Sequence, residues 1–296
     1  MFGVSHVEGP YRRMAGSVNM KVASSIRHPA GMSCAQCGQQ RTSISVIIPA
    51  LNEASAIGAT LRRIPRIDDI EVIVVDGGSC DSTVSVAESL GARVIQTSGG
   101  RAHQMNSGAA AARGEILLFL HADTHLPSDF PRLVRETLSR PKVVVGAFRL
   151  RIDSPRRSLR VVEALSNFRS SWLKMPYGDQ ALFLRARYFR TAVGFSELPI
   201  MEDFEFVRRL GRWGRIALAP AAVVTSARRW ERFGVLRATL LNQAIILAYL
   251  LGISPARLAH WYRGAAGDTW TCRMEVDNPK TPTAALSKTL PTAQGR

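Results

Sequence analysis

Four short strand-like segments, alternating with helical patterns, constrain this chain more than any other feature. The first run is Ile44, Val46, Ile47 and Ile48, stopped by Pro49 and followed by Asn52, a residue type that caps helices. β-Branched side chains suit a pleated surface and lose rotamer freedom in a helix, so this run reads as a buried strand. Ala54, Ile57, Leu61 and Ile64 then recur at helical spacing until Pro65. A second strand, Glu71 to Val75, ends on Asp76, after which Gly77 and Gly78 allow a tight turn. Asp81 is placed to cap the next helix, Gly91 closes it, and Arg93 to Gln96 form the third strand. Past Ser98-Gly99-Gly100, an Ala-rich helix leads to a fourth strand, Glu115 to Leu120, which delivers His121-Ala122-Asp123. Alternation of this kind predicts an α/β fold with a mostly parallel sheet, right-handed crossovers and flanking helices.

The rhythm loosens beyond Pro127. A helix from about Ser128, a strand from Val143 to Ile152, a helix past Pro155 and a loop over Met175 to Gln180 are expected. A helix near Glu202, a strand pair around Ile216 and Val223, and two apolar or amphipathic C-terminal helices complete the reading. The expected organisation is a disordered leader over 1–42, a catalytic domain over 43–233, helices over 234–266 and a disordered tail over 267–296. The leader lacks the continuous apolar stretch of a secretory signal. Cys34, Cys37, Cys80 and Cys272 are too few and scattered for a disulfide framework, which favours a reducing, cytoplasmic setting.

Lys and Arg number 39 against 23 Asp and Glu, a formal net charge of +16 that favours anionic partners. Nucleotide diphosphates, phospholipid surfaces and nucleic acid all qualify on charge. No recognisable nucleic-acid motif occurs, so nucleic acid is not the expected partner. Neither GxxxxGK[ST] nor GxGxxG is present, which disfavours a P-loop or dinucleotide enzyme. In an open parallel sheet, ligands bind outside the carboxyl ends of the strands where the strand order reverses. Three strands there deliver Asn52 and Glu53, Asp76, and Asp123. Any one carboxylate could simply cap a helix; their convergence instead suggests a divalent metal, Mg²⁺ or Mn²⁺, neutralising a diphosphate, with Asp123 as ligand. Arg101, at a helix start after two glycines, would add a cation and backbone donors for the same anion.

Ile48-Pro49-Ala50-Leu51-Asn52-Glu53, Val75-Asp76-Gly77-Gly78-Ser79, Asp81-Ser82-Thr83 and His121-Ala122-Asp123 together resemble the motifs of glycosyltransferase family 2. Within that family the chain resembles the branch associated with arsenosugar biosynthesis, and similar sequences carry a carotenoid-acid glucosyltransferase label. The resemblance implies a GT-A fold, a Rossmann-like nucleotide-diphospho-sugar transferase architecture. It also implies a nucleoside-diphosphate sugar as donor and inversion in a single displacement.

By position, Pro49, Asn52 and Glu53 would line the nucleoside pocket, Asp76 beside Gly77 would bind the base, and Asp123 would hold the metal. The family commonly has Asp-x-Asp here, whereas this chain has His121 at the first position, either a second ligand or a packed imidazole. Met201-Glu202-Asp203 resembles the family's Glu-Asp motif, which makes Asp203 the expected general base and Glu202 its substitute. Gly178-Asp179-Gln180 resembles the acceptor loop. Arg228-Arg229-Trp230 loosely resembles an Arg-Trp element, with Arg229 on the diphosphate and Trp230 toward the acceptor.

The 235–263 segment is apolar, then rich in cations and aromatics, which suits a membrane surface or a packed helix pair. Its apolar helix, Val235 to Leu251, falls short of the ~20 residues a span prefers and carries Arg237, Asn242 and Gln243. Single-sugar transfer to an acceptor hydroxyl or carboxyl group is the expected activity. A sugar nucleotidyltransferase and an inactive sugar-nucleotide-binding scaffold are the competing readings.

Overall fold

The computed structural model describes residues 42–266. Its first half alternates as the sequence predicts: β1 (Ile44–Ala50), α1 (Ala54–Arg62), β2 (Ile70–Asp76), α2 (Thr83–Ser89), β3 (Arg93–Gln96), α3 (Arg101–Ala111) and β4 (Ile116–Phe119). A two-residue β5 (Thr124–His125), α4 (Phe130–Ser139), β6 (Val143–Asp153) and α5 (Arg157–Trp172) follow. After a 3₁₀ turn at Gly178–Gln180 come β7 (Phe183–Arg185), α6 (Ala186–Thr191), α7 (Glu202–Leu210) and β8 (Arg215–Ser226). The last described elements are α8 (Arg228–Phe233), α9 (Val235–Leu250) and α10 (Pro255–Ala266).

Eight strands form one sheet in the order β3-β2-β1-β4-β7-β6-β8-β5. β1 lies between β2 and β4, parallel to both, with Ile47 paired to Ile73 on one side and Phe119 on the other. β7 is antiparallel to β4 and β6, while β6 and β8 are parallel, so the sheet is mixed beyond the first four strands. The order reverses between β1 and β4, which opens a crevice at their carboxyl ends.

Both faces of β1 are buried, which is why it is apolar at nearly every position, Ser45 excepted. Val46 and Ile48 pack with Ile57, Leu61, Phe130 and Val134 from α1 and α4. Ile47, pointing the other way, packs with Ala102, Met105 and Phe206 from α3 and α7. A Cβ at Gly108 would stand 2.5 Å from the Ile47 side chain, so α3 can lie this close to the sheet only with glycine there.

The expected strand pair around Ile216 and Val223 is a single strand, β8. Its pairing with β6 jumps from Leu218 opposite Ala147 to Ala222 opposite Arg149. Pro220 sits in the skipped stretch, where a residue without an N–H costs no ladder bond. The sequence punctuation was real, but it marks a bulge.

The C-terminal helices pack on the catalytic core along one face. Ile245 of α9 and Leu258 of α10 are buried against Met201 and Phe204 at the start of α7. Phe204 meets Tyr249 edge-on at 5.5 Å. Residues 1–41 and 267–296, where a leader and a tail are expected, lie outside the described residues.

Candidate active site

The crevice is built first by backbone stitching. Asn52 does not cap α1: it takes a positive φ of 54°, Glu53 occupies the cap position, and the Asn52 side chain accepts from the Cys80 amide at 2.9 Å. The exposed amides of α1 are satisfied from the next turn, Glu53 N–H donating to Thr83 Oγ1 at 2.8 Å and Ala54 N–H to Asp81 at 3.1 Å. Asp81 accepts from Thr83 as well; burial pushes its carboxyl up, and these hydrogen bonds together outweigh that and hold it below the usual range. One acidic side chain therefore ties together the starts of α1 and α2.

Asp76 is consumed by its own turn. It is 1% exposed, and its carboxylate accepts from the amides of Gly78 and Ser79, both at 3.0 Å, and from the Ser79 hydroxyl. Expected beside a nucleotide base, Asp76 in this structure holds the Gly77–Ser79 turn at the end of β2. Gly77 is needed for another reason: a Cβ would fall 2.4 Å from Nε2 of Gln104. That buried amide donates to the Ala50 and Val75 carbonyls and so clamps the ends of β1 and β2. Gln104 was not singled out in the sequence, since a Gln in a small-residue helix carries no local signal.

Two carboxylates converge on one cation at the rim. Nη2 of Arg228 donates to Oε2 of Glu53 at 2.7 Å and to Oδ2 of Asp123 at 3.1 Å. Burial raises the Glu53 pKa, opposed by Arg228. Oxygen donors from two strand ends meeting at one positive centre are the kind of donor set a hard divalent cation takes. His121, considered as a partner of Asp123, turns elsewhere: its Nε2 faces Nη2 of Arg101. Burial first, then the charges of Arg101 and Arg229, hold its pKa well below the ordinary histidine value, so the imidazole is neutral. Among the described residues, no group of three or more His, Cys, Asp or Glu is arranged to hold a metal.

A second cluster lies where β1 and β4 diverge. Pro49, Arg101, His121, Gly178, Leu182 and Asp203 line a cavity of about 10 Å³, room for about one water. Gly178 N–H donates to Oδ2 of Asp203 at 2.6 Å, and Oδ1 accepts from the Phe204 amide at 2.7 Å. Each oxygen keeps a lone pair free for a further proton. Glu202, 7% exposed, lies 3.5 Å from Nε of Arg101, and burial raises its pKa despite that cation. The two adjacent acids thus diverge: Glu202 pairs with Arg101 and Asp203 binds the Gly178 loop.

The Gly178–Gln180 turn separates by residue. Asp179 has a buried Oδ1 without a hydrogen-bond partner, and burial raises its pKa against the opposing charge of Arg169. Arg169 braces the loop, its guanidinium 3.4 Å from the Tyr177 ring centroid and its Nε donating to the Met175 carbonyl. Gln180, expected to meet an acceptor, is 0% exposed: it accepts from Ser170 and donates to the Phe148 carbonyl at 2.9 Å. Trp230 is likewise core, packed with Leu150, Ile152, Leu159 and Ala238. Both expectations are corrected by burial, which puts these side chains out of an acceptor's reach. Arg229 is exposed, donates to Asn242 at 2.5 Å, and acts electrostatically on His121 and Asp179. Arg228, quoted in the motif but given no role, is the residue of that element that reaches the carboxylates.

The profile of glycosyl transferase family 2 matches residues 45–194, half of the chain, and the chain belongs to that family. The match ends before Glu202, so the acid pair and the Arg228–Arg229 element lie beyond it. A PGL/p-HBAD biosynthesis glycosyltransferase of Mycobacterium bovis is 39% identical over 111 residues, 34% of this chain and 41% of that protein. Glucosyl-3-phosphoglycerate synthase of Mycolicibacterium paratuberculosis is 34% identical over 106 residues, 32% of this chain and 31% of that one. The matched stretch thus spans less than half the length of either relative. Among solved structures, the mannosyltransferase PcManGT from Pyrobaculum calidifontis, in complex with GDP-Man and Mn²⁺, aligns with a TM-score of 0.52 at 23% identity. That alignment covers 78% of this chain and 77% of the other, and the shared fold is the expected GT-A architecture.

Proposed function

We propose that this chain transfers a single sugar, with inversion, from a nucleoside-diphosphate sugar to an acceptor hydroxyl or carboxyl group, and that Asp203 is the general base. The observation carrying this reading is the position of the Asp203 carboxylate, fixed by the Gly178 amide at the cavity between β1 and β4. In an inverting displacement the acceptor oxygen attacks the anomeric carbon as the diphosphate leaves, and the acceptor proton passes to a base within hydrogen-bond reach. Asp203 would take that proton. Arg101 and Arg229 would face the diphosphate, and Pro49, Asn52 and Gly77 would shape the nucleoside side of the crevice.

Glu53 and Asp123 are the residues we assign to a Mg²⁺ or Mn²⁺ ion, which would supply charge neutralisation for the departing diphosphate. The Arg228 bridge between them supports this assignment, because it marks a site for positive charge flanked by two carboxylates. Acceptors of the arsenosugar or carotenoid-acid type both fit the reaction, which asks only for a nucleophilic oxygen at Asp203. Among the described residues no helix is long and apolar enough to cross a membrane. We infer a cytoplasmic enzyme held peripherally at a membrane through 235–263.

Calorimetry with UDP and GDP, each with and without Mn²⁺, tests the donor site on the full chain. Metal-dependent binding of either nucleotide is expected, and no binding of either with metal present would overturn it. A second reading, a sugar-nucleotide-binding scaffold, draws on the occupation of Asp123 by Arg228 and on His121 at the first motif position. Binding without turnover of any donor would favour the scaffold.

A further inference from the structure

α5 carries an apolar stripe that no packing in the fold uses. Val161, Leu165, Phe168 and Trp172 recur four, three and four residues apart, the spacing of one helical face, and Leu173 extends them. All five are more than half exposed, Trp172 at 75%. The opposite side of the helix is where Leu159 is buried against Trp230 and Ala238, so the stripe is surplus to the core. Phe168 and Trp172 stack on each other at 5.6 Å. α9 does the same beside it: Leu236, Leu240, Leu247, Leu250 and Leu251 are exposed while Ala238 and Ile245 face inward. Leu159 and Val162 of α5 meet Val235 and Ala238 of α9, so the two helices are neighbours.

We propose that α5 and α9 together form a docking face for an anionic lipid bilayer. This rests on the membrane reading of 235–263, adds α5 to it, and specifies the lipid charge. Charge complementarity selects that occupant. Residues 154–178 hold Arg156, Arg157, Arg160, Arg169 and Lys174 against a single acid, Glu163, and residues 232–266 hold four arginines and no acid. An aromatic and leucine face on segments with this excess of cations over carboxylates matches an interface of anionic headgroups above acyl chains. A second copy of the same surface would instead bring like charges together. Trp172 and Trp261, 75% and 51% exposed, are amphipathic side chains of the kind that settle at headgroup depth.

The face also leads into the site. α5 ends at Trp172, and the chain runs directly from there through Met175 to Gly178, whose amide holds Asp203. A bilayer seated on Phe168 and Trp172 therefore abuts the loop assigned to the acceptor, so an amphiphilic acceptor can present its hydroxyl from the lipid surface.

Flotation of the full chain with phosphatidylcholine vesicles, with and without about one third phosphatidylglycerol, tests the proposal. Binding to the phosphatidylglycerol vesicles is expected, weakened by high salt and by neutral lipid. Phe168→Glu/Trp172→Glu should reduce the partition coefficient about tenfold or more. Leu247→Glu/Leu250→Glu should do the same, and all four positions are exposed enough to leave the melting temperature near that of the parent. Equal binding by Phe168→Glu/Trp172→Glu and the parent would overturn the role of α5. Absence of binding to any vesicle, with a dimer in sedimentation equilibrium that these variants abolish, would overturn the lipid assignment in favour of a second copy. Calorimetric UDP or GDP binding by the same variants should be unchanged, so this failure is distinguishable from failure of the donor site.

Discussion

The amide of Gly178 stands 2.6 Å from Oδ2 of Asp203, so the proposed base is held by the loop assigned to the acceptor. A Cβ at residue 178 would lie 2.6 Å from Nη2 of Arg101, 2.9 Å from Oδ2 of Asp203 and 3.2 Å from Nε2 of His121. Three polar groups therefore have to give way to one methyl. Gly178→Ala should lower kcat about 10²-fold through misplacement of Asp203 while leaving nucleotide affinity within a few-fold. Steady-state kinetics paired with calorimetry checks it.

The bridge from Arg228 to Glu53 and Asp123 is half-exposed on the arginine side, so its removal should cost at most about 1 kcal/mol of stability. Its functional effect should be larger. Arg228→Ala frees both carboxylates, and the Mn²⁺ concentration needed for half-maximal nucleotide binding should fall several-fold. A metal titration at fixed nucleotide measures this directly.

Burial raises the Glu202 pKa above the ordinary carboxylate value, with Arg101 opposing. For an acid raised in the folded state, the folded form binds the extra proton between the unfolded and folded pKa values, so stability falls as pH rises through that window. Glu202→Gln removes the penalty. The variant should melt above the parent at pH 8 and level with it below the ordinary carboxylate pKa, as thermal scans at the two pH values would resolve.

Trp230 is 7% exposed within the cluster of Leu150, Ile152 and Leu159. Trp230→Ala should destabilise the fold by ~3–5 kcal/mol, and equilibrium denaturation measures that loss. The acceptor KM should be unchanged, because loss of folded protein lowers only the apparent kcat.

β1, β2 and β4 were legible because each is apolar and buried on both faces, and the edge strand β3, exposed or half-buried throughout, because Gly91 and Gly99 bracket it. β5 and β7, at two and three residues, are too short to carry a period, and their existence depends on β8 and on β4 with β6. The acids of the crevice were legible at Glu53, Asp123 and Asp203 as strand-end and helix-start residues. Their partners were not: Glu53 meets Arg228 from 175 positions away, a distance no local pattern spans. Gln180 and Trp230 were misread for one physical reason, that a polar or aromatic residue beside a motif looks alike whether it faces ligand or interior. The α5 stripe has the opposite ambiguity, since helical spacing gives a face but not the side on which the core lies.

Asp203→Asn tests the account most directly, because the substitution keeps the acceptors for the Gly178 and Phe204 amides through one oxygen and removes the basic carboxylate. Turnover of a competent donor should fall ~10²–10⁴-fold while calorimetric nucleotide binding stays within a few-fold of the parent. Undiminished turnover in this variant would contradict the assignment of Asp203 as the base.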